Sequence, residues 1–397
     1  MISYERAYKK LKGSVYYDKT QSILRASIVD FEGDGNIDNL LSALRDKVKA
    51  SEDDWESYKS DLLSSIKVVS FPKSIKGSNN GNTILNYNIN NIKVDHYQFF
   101  FDSMVEVQIL GIIWISTIGV ELDATFYTHS YGNRLRKRIA KEVEESVYKL
   151  SSGVNDNEYL IGAFSPYLFE PYFSQYESWR DKGLEIAQTC LTNKENVLVL
   201  TMDFKSFFHS VDLNKVFFDE FMSNYIDKYT EAVDSETLTE ISRINTFVYE
   251  VLEYYSSISR KVIQSNDEKQ NIFLPIGFFP SNILSNWYLD KFDRAIIDRW
   301  NPTYYGRYVD DIIIVDKVES NSRIHKILSQ QSSSGAKENL SERIINHYLG
   351  KCNAKKDLIC DAQRQLLTSN SDVIQDGQDS NEEVLYRVNS HSAPLGN

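Results

Sequence analysis

Two apolar runs, each joined to acidic residues, constrain the fold of this chain more than any other feature. The first is VLVLTMDFKSFFHSVD, residues 197–212. Val197 to Met202 are short and mostly apolar, as a buried strand requires, and Asp203 sets a carboxylate at the strand end. The second is GRYVDDIIIVD, residues 306–316, in which Asp310 and Asp311 stand between Tyr308 and the run Ile312 to Val315. That distribution predicts a β-hairpin with the acid pair at its tight turn. Each feature alone also has an ordinary structural explanation. A strand-terminal Asp can cap the following helix, and adjacent acids at an exposed turn are relieved by water. In a partly buried turn, two unit charges ~4 Å apart repel by about 4 kcal/mol at an effective dielectric near 20, and a cation offsets that cost.

The chemistry that separated carboxylates of this kind support is phosphoryl transfer. Two divalent ions ~3.5–4 Å apart clamp the attacking and leaving oxygens of an in-line displacement. Magnesium suits hard carboxylate and phosphate oxygens, with manganese as the alternative. The six histidines are scattered, which counts against a histidine-rich zinc or iron site. A third segment, LPIGFFPSNILSNWYLDKFDRAI at 274–296, opens on Gly277 and Ser281 and continues as an amphipathic helix. Gly277 allows close backbone approach to a nucleotide or base pair. Ser281 is a candidate helix cap facing substrate, while Leu284, Trp287, Tyr288, Phe292 and Ile296 form the buried face. A plain Gly/Pro turn before a packed helix also explains the helix, but not the company this segment keeps.

Around these segments, residues 1–70 read as largely helical, with IDNLLSALRDKV amphipathic. GSNNGN at 77–82 is a polar loop, 83–100 carry strand-forming residues, and helix follows to about 125. Residues 127–183 are loop-rich, with a helix expected at 137–149 and an aromatic stretch broken by Pro166 and Pro171. Helix is expected again over 214–265. SQQSSSGAKEN reads as a surface loop, and the polar end from Ser369 as a poorly ordered tail or the start of an extension. The apolar run Ile109 to Val120 has 12 residues, too few to span a bilayer, and reads as a buried helix. The start, MISYERAYKKLKG, lacks the apolar core of a signal peptide, and the three cysteines form no closely spaced set, so a cytoplasmic protein without membrane attachment is expected. A net charge of -12 does not exclude nucleic acid, because the local field decides. RLRKR and the lysines 351, 355 and 356 are candidate phosphate contacts or solvated faces.

Taken in order, DFKSFFHS, LPIGFFPSNILSN and YVDD resemble the palm motifs of reverse transcriptases. The resemblance spans roughly residues 195–360. It implies an α+β, right-hand polymerase fold: a mostly helical region with part of the fingers at 1–125, fingers at 126–194, an antiparallel-sheet palm at 195–365, and a polar tail or the start of a C-terminal region at 366–397, the thumb being reduced or absent. It implies catalytic, metal-binding roles for Asp203, Asp310 and Asp311 with two magnesium ions, and a place for Tyr308 beside the primer terminus. Phe208 matches the aromatic steric gate that favours deoxynucleotides. YLGKCNAKKD resembles the Asn-x-x-Lys motif through Asn353 and Lys356, which would meet the triphosphate. Asp357 replaces the usual Thr, which leaves Lys355 as a competitor.

Two departures bear on substrate positioning. Ile276 stands where the family has Gln, and Asn282 where it has Pro after the Ser. SYGNRLRKR and PYFSQYESWRD resemble the bacterial abortive-infection and antiphage-defence reverse transcriptases. That likeness implies RNA or DNA and dNTP substrates, a companion non-coding RNA, and a homo-oligomer or defence-complex subunit. Arg134, Arg136, Arg138 and Arg180 are its candidate nucleic-acid contacts. Template-independent or protein-primed synthesis is one alternative, and a catalytically silent nucleic-acid-binding scaffold is another.

Overall fold

A computed structural model describes residues 2–17, 21–75, 94–136, 167–204, 206–263, 271–320, 322–329, 340–349, 372–376 and 385–389. The expected loop at 77–82, the helix at 137–149, Arg138 and the segment with Asn353, Lys355 and Lys356 lie outside these. The chain divides into two compact units, interleaved in sequence.

The first unit comprises residues 1–119, 165–167 and 211–281. Four helices open it: α1 (Tyr4–Tyr17), α2 (Ser22–Gly33), α3 (Ile37–Lys49) and α4 (Glu52–Ser64). Asn36 and Ser51 cap α3 and α4 through their side-chain oxygens, satisfying backbone donors that a helix start leaves open. Helix ends sooner than the sequence suggests, because β1 (Lys67–Ile75) pairs antiparallel with β2 (Val94–Asp102). The β-branched Val68 and Val69 with Phe71 at the start of β1 suit a strand.

Helix α5 (Val105–Trp114) is buried throughout. It packs against α1, α2 and α10 (Ser235–Ile263), and its Trp114 meets α9 (Lys215–Tyr229); α9 and α10 lie in the segment expected to be helical. The indole of Trp114 donates to Asn245 Oδ1 at 2.9 Å, and Asn245 donates to the Phe218 carbonyl at 2.8 Å. A five-residue π turn, Ile115–Gly119, follows α5 and leads into α6 (Val120–Thr125). Val105–Thr125 is thereby 21 residues long and apolar enough to cross a membrane, longer than the twelve residues read from sequence. Most of it is buried in the protein, as the core-helix reading requires.

The second unit comprises residues 120–164, 168–210 and 282–397. Its centre is a five-stranded sheet of order β4-β5-β3-β7-β6, where β3 is Val197–Asp203, β4 Tyr304–Tyr308, β5 Asp311–Lys317, β6 Asp372–Asp376 and β7 Leu385–Asn389. Strands β3, β4 and β5 are antiparallel to their neighbours in that group, and β7 runs parallel to β3. Strands β6 and β7 occupy the segment read as a poorly ordered tail or the start of an extension. Within that polar stretch the strands themselves are the locally less polar segments DVIQD and LYRVN.

Helix α7 (Tyr172–Thr192) begins directly after Pro171 and covers one face of the sheet. Trp179, Ala187 and Cys190 meet Val197, Val199, Tyr304, Tyr308, Ile313 and Val315. Helix α11 (Phe279–Ala295) belongs to this unit from Asn282 onward. Its Phe292 packs on Phe204 and its Tyr288 on Phe207. Strand β3 is thus buried on both sides, which explains its lack of polar alternation. Leu284, Tyr288, Phe292 and Ile296 are buried as expected, and Trp287 is partly exposed.

Candidate active site

Strand pairing brings the acids of two distant segments together. In the β3–β5 register Asp203 stands directly opposite Asp311, and the Phe204 N–H donates to the Asp310 carbonyl at 3.2 Å. Strands β4 and β5 join through a tight turn at Val309 and Asp310, the hairpin predicted from GRYVDDIIIVD. Asp311 is pushed up to about 7, first by burial, then by the negative charges of Asp310 and Asp203. Both neighbouring carboxylates therefore act on Asp311 at this sheet end, and a cation there would relieve that repulsion. Hard oxygen donors at such a place fit a divalent ion. Among the described residues, however, no group of three or more His, Cys, Asp or Glu side chains is already arranged as a ligand set.

The aromatic surroundings are richer than the sequence suggested. Tyr308 is only 7% exposed. Its ring meets Tyr172 edge-on at 5.4 Å and Tyr176 at 5.3 Å. Tyr172 is 56% exposed and Phe173 75% exposed, so the accessible aromatic surface beside the acids belongs to α7. Both Tyr172 and Tyr176 hydroxyls are pushed up, chiefly by burial and further by the negative charge of Asp311. These two residues escaped the sequence reading. The signal was present in the spacing of Tyr172, Tyr176 and Trp179, which puts three rings on one helical face. Phe208 lies on the short helix α8 (Phe207–Ser210), half-buried and edge-on to Phe207 at 5.5 Å.

The arginines divide. Arg134 is a correction: all its donor nitrogens are engaged within the protein. Its Nε donates to Asp123 Oδ1 at 2.9 Å, Nη1 to the carbonyls of Tyr127 and Ser130, and Nη2 to the Asp123 carbonyl at 3.0 Å. Asp123 is fully buried, so Arg134 neutralises an internal charge and has no donor left for phosphate. Arg136 is partly buried, with its backbone N–H bonded to the Leu168 carbonyl. Arg180 is exposed on α7 and paired with Asp181 at 2.7 Å.

Gly277 and Ser281 belong to the first unit. Gly277 has φ +101°, a conformation that favours glycine, and its carbonyl accepts from Gln108 Nε2 at 2.8 Å. With Ile276 it lines a cavity of about 360 Å³, bordered by Phe71, Phe100, Gln21 and Gln98. Ser281 is a second correction. Helix α11 starts at Phe279, so Ser281 lies inside the first turn instead of capping it. Its hydroxyl is buried, with no hydrogen-bond partner among the described residues.

Residues 168–346, just under half of the chain, match the family model described as reverse transcriptase (RNA-dependent DNA polymerase). This match holds Asp203, Phe208, Gly277, Ser281, Tyr308, Asp310 and Asp311. No curated protein matches the sequence. The mixed helix-and-sheet structure is consistent with such a domain, and the match indicates a nucleotidyltransferase of the RNA-directed DNA polymerase class, which implies nucleic acid and deoxynucleoside triphosphates as substrates.

Proposed function

We propose that this reverse transcriptase extends a 3′-hydroxyl with deoxynucleotides, using Asp203, Asp310 and Asp311 to hold two magnesium ions. The observation that carries the reading is the cross-strand pairing of Asp203 with Asp311, next to Asp310, within the matched segment. When bound, the ions supply charge neutralisation for the triphosphate and activation of the attacking hydroxyl. The chain's own part is to bring three carboxylates to one sheet end, beside the rings of Tyr308, Tyr172 and Tyr176. In this reading residues 195–365 are the palm and the preceding segments the fingers. Phe208 disfavours a ribose 2′-hydroxyl, and Gly277 and Ser281 belong to nucleotide binding. Lys356, outside the described residues, is retained as a candidate triphosphate contact.

A defence role in the bacterial abortive-infection group follows from the likeness of SYGNRLRKR and PYFSQYESWRD, with a cytoplasmic enzyme and a companion RNA as its corollaries. Ile276, in place of the family's Gln, favours a second reading in which synthesis is untemplated or protein-primed. Purified protein with magnesium, four dNTPs and primed RNA or DNA tests the chemistry. Asp310→Asn with Asp311→Asn is expected to abolish incorporation, and unchanged incorporation refutes the site. Products that follow a changed template refute the untemplated reading. Plating of phage on cells carrying the wild type or the double variant tests defence: protection that survives the substitutions favours a scaffold.

A further inference from the structure

Three fully buried polar side chains that the proposed chemistry does not use surround the turn carrying Asp310. They are Arg307 on β4, and Asn286 and Asp293 on α11. Asn286 and Asp293 are seven residues apart, so two helical turns put them on one face. Arg307 Nη2 donates to Asp293 Oδ2 at 2.6 Å and its Nε to Asp293 Oδ1 at 2.8 Å. Tyr305 donates its hydroxyl to the same carboxylate. The remaining nitrogen, Nη1, donates to Asn286 Oδ1 at 3.0 Å and to the Val309 carbonyl at 2.8 Å.

The last of these bonds is the informative one. Val309 has φ +55°, which a β-branched residue adopts only when its surroundings impose it. It immediately precedes Asp310. Asn286 Nδ2 also donates to the Gly132 carbonyl at 2.8 Å, and Gly132 lies so close that a Cβ there would come within 2.7 Å of the Val309 backbone nitrogen. The turn is therefore gripped from two sides by groups that converge on Asn286. A buried ion pair of this kind is commonly replaceable by apolar residues without loss of stability, so stability alone gives no reason for it here.

We propose that Arg307, aligned by Asp293 and Asn286, is a positioning residue that holds Val309 in its left-handed conformation and so aims the Asp310–Asp311 carboxylates. This rests on the reading of those acids as metal-binding. A primer-extension assay comparing wild type with Asp310→Asn/Asp311→Asn settles that premise first. If the acid variant synthesises DNA as the wild type does, the acid reading fails and the proposal falls with it.

Given acid-dependent synthesis, Asp293→Leu/Arg307→Met is expected to remain folded, with stability lowered by the bonds that Tyr305 and Val309 lose. Its kcat should fall roughly 10- to 100-fold at unchanged primer KM. Without nucleotide, its Mn2+ affinity, read by electron paramagnetic resonance of the free ion, should weaken about tenfold. Adding Val309→Gly should recover most of both losses, because glycine takes positive φ without a brace. Wild-type kcat and Mn2+ affinity in the double variant, or losses that Val309→Gly leaves untouched, overturn the proposal. If the double variant does not fold, Arg307→Lys takes its place. It keeps a charge for Asp293 but lacks the planar fork that also reaches Val309, so the same losses and the same recovery are expected, and wild-type values overturn the proposal.

Discussion

Replacing Asp311 by Asn should stabilise the second unit while it destroys synthesis. Asp311 is partly buried between Asp310 and Asp203, and its carboxyl is pushed from the ordinary 3.8 up to about 7. The folded state therefore holds that proton more tightly than the unfolded chain. The resulting cost is absent below about pH 4, grows as pH rises between about 4 and 7, and is complete above that. A shift of this size corresponds to about 4 kcal/mol as a ceiling, at 1.36 kcal/mol per unit. Asn has nearly the same shape and no charge, so Asp311→Asn should raise stability by roughly 2–4 kcal/mol at pH 8 and by little at pH 4. The assay is urea unfolding of both proteins in a chelator at the two pH values, followed by magnesium titration. Magnesium should narrow the difference by stabilising only the wild type. If the Asn variant is no more stable at pH 8, or the difference is the same at both pH values, burial and mutual repulsion are not what perturbs this acid.

Three further outcomes are expected. Gly132→Ala should cost about 1–3 kcal/mol and most of the activity, because its Cβ would stand 2.6 Å from Val309 Cγ2 and 2.7 Å from the Val309 nitrogen; thermal unfolding and primer extension check it. Arg134→Met should destabilise by about 3–5 kcal/mol, since it strands a fully buried Asp123, yet leave the salt dependence of nucleic-acid binding by the folded fraction unchanged. Phe208→Ala should raise ribonucleotide incorporation relative to deoxynucleotide by roughly tenfold or more if its ring is the steric gate, measured by competition between the two.

Local order was written in the sequence. The run Val197 to Met202 ending on Asp203, and the YVDD turn between Tyr308 and Ile312, each specify strand and turn through side chains only a few residues apart. Those segments became β3 and the β4–β5 hairpin because apolar runs and tight turns are short-range properties. What the tertiary structure alone decided was which partner each polar group met. RLRKR reads as a basic patch, but Arg134 turns inward because Asp123, eleven residues earlier, is buried beside it. The polar segment after Ser369 supplies β6 and β7, and it is the edge of β3, far away in the chain, that β7 pairs with. Arg307 looks like one more basic residue before the acids until α11 brings Asn286 and Asp293 against it. A linear pattern records what a residue can donate or accept. Burial and distance, set by segments far away in the chain, determine where that capacity is used.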